Sequence, residues 1–486
     1  MTATLASAPS PLLGRGPELT RLRAVLKRGG PQLIVVTGPR GRGKTAVVRQ
    51  ALSGRHAIYL ETCELTEAEL LQDFRAIAHA VLGEAPTPQR PGVLPMASGL
   101  GGWLSVLMGI VDRTEGDRPL ALALDGMEAL LGVRRKLGGI ISEVFQSARS
   151  RGISLRLILT ARDPRTLTAL VGPEGALGPA DLELALPALP FRTAGWGHGG
   201  RDALDAFRRW AVFGDDPAHL PGGLTGGGLE ASVIGRVLVP GGDLFDAPLG
   251  RLERTFQRPA RYAAVLRALA HGPLSWSGIL EKARGIDSGG QLAPYLRRLE
   301  EEALVRVDLP LDASPHSRTR RYALGDPFLA FWFGWVLPHR SLLSTMGAET
   351  VWRHHIGPTL EGHYQSWMEE IARRWLRDHA EEAFGVQARE AGALWGGEAE
   401  FPVAGRLANG QVCFGLTEWS PAGRDLARDM GERMKASRYG IGREARTPIF
   451  FLAGEGDEAV RRMVARVPYA SVVDLADVMG PPPGAG

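Results

Sequence analysis

One stretch of the sequence has the residue types and spacing needed to bind a phosphate group. It follows the apolar run 33–36 and consists of Gly38, Pro39, Arg40, Gly41, Arg42, Gly43, Lys44 and Thr45. Glycines let backbone N–H groups turn inward around an anion, because no β-carbon obstructs the turn. Lys44 adds positive charge beside the outer phosphates, and the Thr45 hydroxyl is a ligand suited to Mg²⁺. With a strand before it and an amphipathic helix after it, the stretch predicts a P-loop that binds ATP and Mg²⁺.

A second candidate for the same site is Asp125, which ends the continuous apolar run 120–124. Such a run is typical of a parallel strand that is buried on both faces. The carboxyl ends of parallel strands meet at one edge of the sheet, so we expect Asp125 beside the P-loop, where it would help to hold Mg²⁺. An aspartate that only begins a turn is the alternative interpretation.

Two further residues are candidates for the chemistry of the site. Most P-loop ATPases with an additional strand carry a water-polarising glutamate after the strand-ending acid, and here that position is Gly126. Glu128 is the nearest possible substitute. A positioned general base contributes about 10²–10⁴-fold to a rate, so its loss predicts ATP binding with slow hydrolysis. Thr160 ends the next apolar strand and is the candidate for sensing the γ-phosphate, while Arg162 either assists it or is a solvated loop residue.

The middle of the chain changes character twice. Residues 191–250 are short helical patterns broken by glycine clusters, which predicts flexible connections. Residues 251–325 contain three amphipathic helical patterns and then two short strand patterns, which predicts a winged helix-turn-helix. Its third helix and its wing carry arginines that would contact DNA phosphates, namely Arg297, Arg298, Arg306, Arg318, Arg320 and Arg321. A protein-interaction module or rigid spacer is the alternative.

Several of these motifs together resemble the archaeal-type ATPases of the STAND/AAA-like class. The resemblance is carried by Leu13-Gly14-Arg15-Gly16-Pro17-Glu18-Leu19, by the P-loop, by Asp125 with its strand, and by Asp326-Pro327-Phe328-Leu329-Ala330-Phe331-Trp332-Phe333. It implies an α/β fold with a RecA/AAA-like parallel sheet over 1–190, a helical lid over 191–250, the winged helix over 251–325 and a restriction-endonuclease-like α/β domain over 326–480. The tail 481–486 is expected to be disordered. In that family a Gly-Arg pair after the sensor strand often supplies an arginine that acts in trans. Gly178-Pro179 stands at that place here.

The nuclease-like domain of that family uses two acids and a Glu-x-Lys pair to hold a metal. Glu369 and Glu400 match the two acids, but Leu416 stands where the glutamate would be and Glu418 where the lysine would be. A leucine cannot bind a hard cation, and a carboxylate repels phosphate. The resemblance therefore implies a vestigial nuclease. A different register, in which Glu418 itself binds the metal, is the alternative.

Composition sets the remaining limits. The chain has 486 residues, enough for about three domains, and a formal net charge of only +4. Cys63 and Cys413 are too far apart in sequence to suggest a disulfide framework or a metal site, which favours a reducing, cytoplasmic setting. No apolar run approaches the roughly 18 residues that a membrane span needs.

These features predict an ATP-binding, slowly hydrolysing switch that couples its nucleotide state to DNA through the winged helix. ATP, Mg²⁺ and DNA are the expected ligands, with a protein partner possible at the C-terminal domain and no membrane contact. Two alternatives stay open: a nucleotide-stabilised interaction scaffold that does not bind DNA, and a metal-dependent DNA nuclease.

Overall fold

The computed structural model describes residues 12–62, 66–82, 98–114, 119–133, 136–221, 227–311, 313–314, 317–419, 425–440, 446–454, 458–467 and 470–482. The chain forms two compact units, Met1–Leu189 and Pro190–Gly486. Part of the predicted disordered tail, 483–486, lies outside the described residues, and so does Cys63. None of the helices in the described ranges is both long enough and apolar enough to cross a membrane.

A five-stranded parallel sheet forms the centre of the first unit. Its strands are β1 (Gln32–Thr37), β2 (Ala57–Glu61), β3 (Leu120–Asp125), β4 (Leu155–Ala161) and β5 (Leu182–Ala185), in the order β2-β3-β4-β1-β5. The helices are α1 (Gly16–Leu26), α2 (Lys44–Leu52), α3 (Glu67–Leu82), α4 (Gly99–Arg113), α5 (Met127–Val133) and α6 (Leu137–Ser150). The predicted P-loop sheet is confirmed, with β4 between the P-loop strand and the strand of Asp125.

Alternation along the strands divides this unit into two cores. Side chains of β3 point to opposite faces in turn, so the leucines of Leu120-Ala121-Leu122-Ala123-Leu124 enter one core and the alanines the other. The leucine core lies against α3, α4 and α6, and the alanine core lies against α1 and α2. The small side chains let α2 pack closely beside β3, which brings the residues of the P-loop near Asp125.

The second unit begins with helices α7 (Phe191–Gly197), α8 (Ala203–Phe213), α9 (Leu229–Val233), α10 (Ala247–Thr255), α11 (Pro259–Leu269), α12 (Trp276–Lys282) and α13 (Gly289–Glu301). A hairpin follows, with β6 (Val305–Asp308) antiparallel to β7 (Arg321–Leu324). Three helices before a hairpin is the order that the sequence predicts. The Asp326 side chain then caps α14 (Pro327–Phe331) by accepting the Phe328 N–H at 2.9 Å.

A mixed sheet completes this unit. After α14 come α15 (Leu337–Met346), α16 (Ala348–Val351) and α17 (Glu361–Phe384), then β8 (Ala388–Leu394), β9 (Phe401–Leu407), β10 (Val412–Glu418), α18 (Leu426–Ala436), β11 (Arg446–Leu452), α19 (Glu458–Arg466), β12 (Ser471–Asp474) and α20 (Leu475–Met479). The strand order is β12-β11-β10-β9-β8. β8, β9 and β10 are antiparallel neighbours, while β11 and β12 run parallel to β10.

The helices of the predicted lid pack on this C-terminal region. Trp210 of α8 is fully buried and meets Trp367 of α17 edge to face, with ring centroids 5.5 Å apart. Arg192 of α7 donates to the Val478 carbonyl of α20 at 2.9 Å. Residues 191–250 are thus part of the second unit, and the finer four-part division of the chain stays a prediction.

Candidate functional site

The loop between β1 and α2 has the backbone shape that its glycines permit. Gly38, Gly41 and Gly43 have φ values of 143°, 79° and 82°, a region that other residues rarely adopt. A β-carbon on Gly38 would also clash with the Leu186 carbonyl oxygen just after β5. Both the dihedral angle and the close contact therefore require glycine at this position.

A buried arginine near the start of the chain forms hydrogen bonds with the backbone of the P-loop. The Arg15 side chain is only 2% exposed, and its guanidinium donates to the backbone carbonyls of Arg42 at 3.1 Å and Pro187 at 2.6 Å. It also pairs with Glu18 at 3.1 Å. Arg15 therefore joins the P-loop to the segment after β5. The motif that contains Arg15 gives no sign of this contact in the sequence.

Three neighbouring strands place polar side chains on the same face at their carboxyl ends. Asp125 ends β3, Thr160 lies near the end of β4, and Tyr59 lies in β2, all with the parity of the alanine core. Asp125 Oδ2 accepts from the Thr45 hydroxyl at 2.6 Å and from the Tyr59 hydroxyl, and Oδ1 accepts from the Thr160 hydroxyl. The structure thus brings Thr45, Asp125 and Thr160 together, as the sequence predicts, and adds Tyr59.

Lys44, the first residue of α2, lies close to this group of side chains. Its Nζ donates to the carbonyls of Gly38 at 2.6 Å and Pro39 at 3.0 Å. Burial lowers the pKa of Lys44, the carboxylates of Asp125 and Glu128 oppose that shift, and the charges of Arg162 and Arg40 reinforce it. The lysine therefore shares its surroundings with two carboxylates and two other cations.

Mg²⁺ suits the oxygen donors at this edge. The Thr45 hydroxyl and the Asp125 carboxylate are hard ligands that lie within hydrogen-bonding distance of each other, which is the donor chemistry that Mg²⁺ prefers. Neither here nor elsewhere in the described ranges is a group of three or more histidine, cysteine, aspartate or glutamate side chains arranged to hold a metal ion.

The local structure explains why a glycine follows Asp125. Gly126 has a φ of 98°, and a β-carbon there would clash with the Thr62 hydroxyl. That hydroxyl donates at 2.7 Å to the backbone carbonyls of both Asp125 and Gly126, and Thr160 Oγ1 accepts the Gly126 N–H at 2.9 Å. A side chain at this position would strain the backbone and would require the Thr62 hydroxyl to move.

The carboxylate of Glu128 binds the segment that follows β4. Its Oε1 accepts the Arg162 N–H and, at 3.4 Å each, the Asp163 N–H and the Thr166 hydroxyl. Glu128 therefore ties α5 to the segment that follows β4. It remains close enough to act on Lys44.

The six arginines predicted to contact DNA fall into two groups. Arg306 donates to Asp308 at 3.0 Å and to Glu370 of α17 at 2.8 Å, and Arg321 donates to Glu400 at 3.3 Å while its guanidinium lies 4.9 Å from the Trp395 ring centroid. These two tie the hairpin to the mixed sheet and α17, so their positive charges are already engaged.

Three of the other four arginines are exposed, and Arg320 is partly buried. Arg298 is half exposed and pairs with Glu301 at 2.8 Å, whereas Arg297 and Arg318 are exposed. Arg320 donates to the Ser317 carbonyl at 3.3 Å. Burial raises the pKa of Glu300, and the charges of Arg320 and Arg297 both oppose that shift.

A buried ionic cluster surrounds Glu370. The carboxylate accepts from Arg306, Arg373 and Arg374, and Arg374 also donates to the buried Asp215 at 3.1 Å. Burial alone would raise the pKa of Glu370, but the three guanidinium groups more than offset it and hold the pKa well below its usual range. This cluster joins the hairpin, α17 and the segment after α8.

The predicted nuclease positions lie on α17, just before β9 and on β10. Leu416 is buried in an apolar cluster that includes Met430 of α18, and alternation places Glu418 on that same side of β10. The opposite face carries Thr417, whose hydroxyl accepts from Gln365 of α17 at 2.8 Å, and the same Gln365 amide lies 3.4 Å from Glu369 Oε1. Gln365 thus links Glu369 of α17 to Thr417 of β10, and the register with Glu418 as a ligand stays a prediction.

Comparisons with known proteins give a family match in the first unit and several distant similarities. Residues 11–151 match the family described as AAA ATPase domain. The uncharacterized protein MJECL04 of Methanocaldococcus jannaschii is 31% identical over 88 residues, which are 18% of this chain and about a fifth (20%) of the relative. The Walker-type ATPase paby2304 of Pyrococcus abyssi has a TM-score of 0.45 at 19% identity, covering 68% of this chain and 98% of that one. The Orc1 protein of Aeropyrum pernix, solved in complex with DNA, has a TM-score of 0.34 at 18% identity, covering 66% and 92%.

The family match and the parallel sheet lead to one class. The first unit contains a parallel-sheet P-loop ATPase core, and the second unit adds a separate mixed sheet. The matched range ends before β4, so Thr160 lies beyond it, while the P-loop and Asp125 lie within it.

Proposed function

We propose that the first unit binds ATP with Mg²⁺ and hydrolyses it slowly. The observation that carries this proposal is the arrangement of Lys44, Thr45 and Asp125 at one sheet edge, next to a Gly126 whose positive φ and contact with Thr62 disfavour any side chain. The N–H groups of the P-loop and Lys44 bind the phosphates, and Thr45 and Asp125 hold the metal. Thr160 bonds both Asp125 and Gly126, so it senses changes at the phosphates through them.

We assign Glu128 a positioning role instead of the role of a general base. Its Oε1 holds the N–H groups of Arg162 and Asp163, which fixes the segment after β4 beside the P-loop. In Glu128→Gln, the amide oxygen still accepts these bonds but the side chain cannot accept a proton. In Glu128→Ala both properties are lost.

Single-turnover ATP hydrolysis and ATP affinity of the two variants separate these roles. Positioning predicts that Glu128→Gln keeps the wild-type rate and affinity, while Glu128→Ala loses affinity for ATP more than for ADP. A general base predicts instead that Glu128→Gln loses about 10²–10⁴-fold in rate at unchanged affinity. That second outcome would overturn the assignment.

We further propose that the nucleotide state controls contact between the second unit and DNA. Arg297, Arg318 and Arg320 are the arginines best placed for it, since Arg306 and Arg321 serve internal contacts. Each phosphate contact adds about 0.9 to the slope of log affinity against log salt for duplex DNA. The triple alanine variant of these residues should bind a duplex more weakly and with a shallower slope.

The control for this experiment is Arg377→Ala, which removes an exposed arginine on α17. It should leave the salt slope unchanged. Comparing duplex affinity with a non-hydrolysable ATP analogue and with ADP tests the coupling itself. Equal duplex affinities in the two nucleotide states would contradict the proposed switch. No measurable duplex binding at about 50 mM salt would exclude DNA as a partner.

A second function is favoured by the same two internal arginines. Because Arg306 and Arg321 fasten the hairpin to α17 and the mixed sheet, the second unit also suits a rigid protein-interaction scaffold stabilised by the nucleotide. The nuclease alternative has less support, because a buried leucine occupies the position of the metal-binding glutamate.

A further inference from the structure

Tyr59 is a polar residue of the nucleotide site that no motif accounts for. It lies in β2, opposite Ala123 of β3, and its ring packs against the alanine core. The small side chain of Ala123 leaves space on this face of the sheet. The Arg49 guanidinium of α2 lies 5.6 Å from the ring centroid on the solvent side. The ring is thus held between the sheet and α2, with its hydroxyl directed at Asp125.

Counting acceptor sites shows what this hydroxyl does. An ionised carboxylate offers about four acceptor sites on its two oxygens. In Asp125 the hydroxyls of Thr45 and Tyr59 share Oδ2 and the hydroxyl of Thr160 uses Oδ1, so three sites are taken. One site remains, on Oδ1, and the orientation of the carboxylate is fixed by donors from three different elements.

We propose that Tyr59 is a positioning residue that orients the Asp125 carboxylate for a divalent cation accompanying the nucleotide. This inference rests on the proposed ATP-binding function of the site. Hydrogen bonds that orient a metal ligand typically contribute 10–100-fold to metal affinity. Tyr59 therefore acts on the metal through Asp125, without contacting the phosphates.

The test is a Mg²⁺ titration of the binding of a fluorescent, non-hydrolysable ATP analogue to the full chain. Tyr59→Phe keeps the ring in its packing and removes only the hydroxyl. We expect its Mg²⁺ midpoint to rise about 10-fold, while the affinity for the analogue in EDTA stays at the wild-type value. A repeat with Mn²⁺, followed by electron paramagnetic resonance, measures the metal directly.

Tyr439→Phe is the matched control. Tyr439 also donates to a carboxylate, that of Glu390 at 2.8 Å, but it does so in the second unit. It should leave the Mg²⁺ midpoint unchanged. If Tyr59→Phe also leaves the midpoint unchanged, or weakens the analogue equally in EDTA, the inference is wrong. If the wild-type chain fails to bind the analogue at all, the proposed function fails instead.

Discussion

The carboxyl edge of the parallel sheet and the corresponding region of the mixed sheet treat their acids in opposite ways. In the first unit, hydroxyls from Thr45, Tyr59 and Thr160 hold the carboxylate of Asp125 next to a lysine. In the second unit, arginines pair with Glu370 and Glu400. Hydroxyl donors carry no charge, so the negative charge of the carboxylate stays available to a cation, whereas guanidinium partners balance that charge with their own. The first arrangement suits a ligand site and the second a structural joint.

The largest expected effect tests the structural joint. Glu370→Gln leaves several buried guanidinium groups without their carboxylate, which should lower the free energy of unfolding by about 3–5 kcal/mol. Tryptophan fluorescence during urea unfolding measures this, because ten of the eleven tryptophans lie in the second unit. Glu361→Gln, which alters an exposed acid on the same helix, should change little.

The pH dependence of that variant has a definite sign. The pKa of Glu370 is held below its ordinary value in the folded chain, so its stabilisation is fully present above the unfolded pKa of about 4.3. It is lost as pH falls through the folded pKa. The stability gap between wild type and Glu370→Gln should therefore be constant from pH 7 to 5 and narrow below about pH 4. A constant gap down to pH 3 would contradict the role of the charge.

A substitution in the ligand site should change the affinity for ATP more than the free energy of unfolding. Lys44→Ala removes a charged donor to phosphate, and hydrogen bonds to charged groups contribute about 1.5–3 kcal/mol, so ATP affinity should fall by roughly 10–100-fold. Isothermal titration calorimetry measures the loss. Lys27→Ala, which changes an exposed lysine just after α1, is the control. An unchanged affinity in Lys44→Ala would place the ATP site elsewhere.

Much of the first unit could be predicted from the sequence, because its signals are local. The P-loop spacing and the apolar run before Asp125 each lie within a single strand and turn. Tyr59 and Thr62 escaped prediction because their roles depend on β2 lying beside β3, which only the strand order reveals. The four-residue strand β5 is not among the predicted strands, although Leu182 and Leu184 alternate with Glu183 and Ala185, a pattern typical of a strand with one buried face.

Prediction was weakest for charges whose partners are distant in the chain. Arg306 and Glu370 are 64 residues apart, and Arg321 and Glu400 are 79 residues apart. An arginine in a predicted wing is expected to face solvent and DNA. The residues around it in the sequence do not indicate that a distant glutamate will pair with it in the folded chain. The same contact gives Glu400, predicted as a nuclease residue, a structural partner.

A smaller effect tests why Gly126 is a glycine. Gly126→Ala forces a β-carbon onto a φ of 98° and against Thr62, which should cost about 1–3 kcal/mol of stability in the first unit. Gly139→Ala is the matched control, because Gly139 lies inside α6 with open space around it. That change should stabilise the unit by about 0.4–1 kcal/mol. Urea unfolding followed by circular dichroism distinguishes the two, and equal effects would mean that Gly126 is not constrained.

The smallest expected effect completes the contrast between the two acids of the second unit. Arg321 is 38% exposed and Glu400 52% exposed, and exposed ion pairs contribute about 0–1 kcal/mol, so Glu400→Gln should lower stability by no more than that. Screening should reduce even this difference at high salt, unlike that of the buried Glu370. Urea unfolding at low and high salt measures both variants. A loss of several kcal/mol in Glu400→Gln would show that the hairpin is fastened to the mixed sheet mainly through Arg321, and not through the cluster around Glu370.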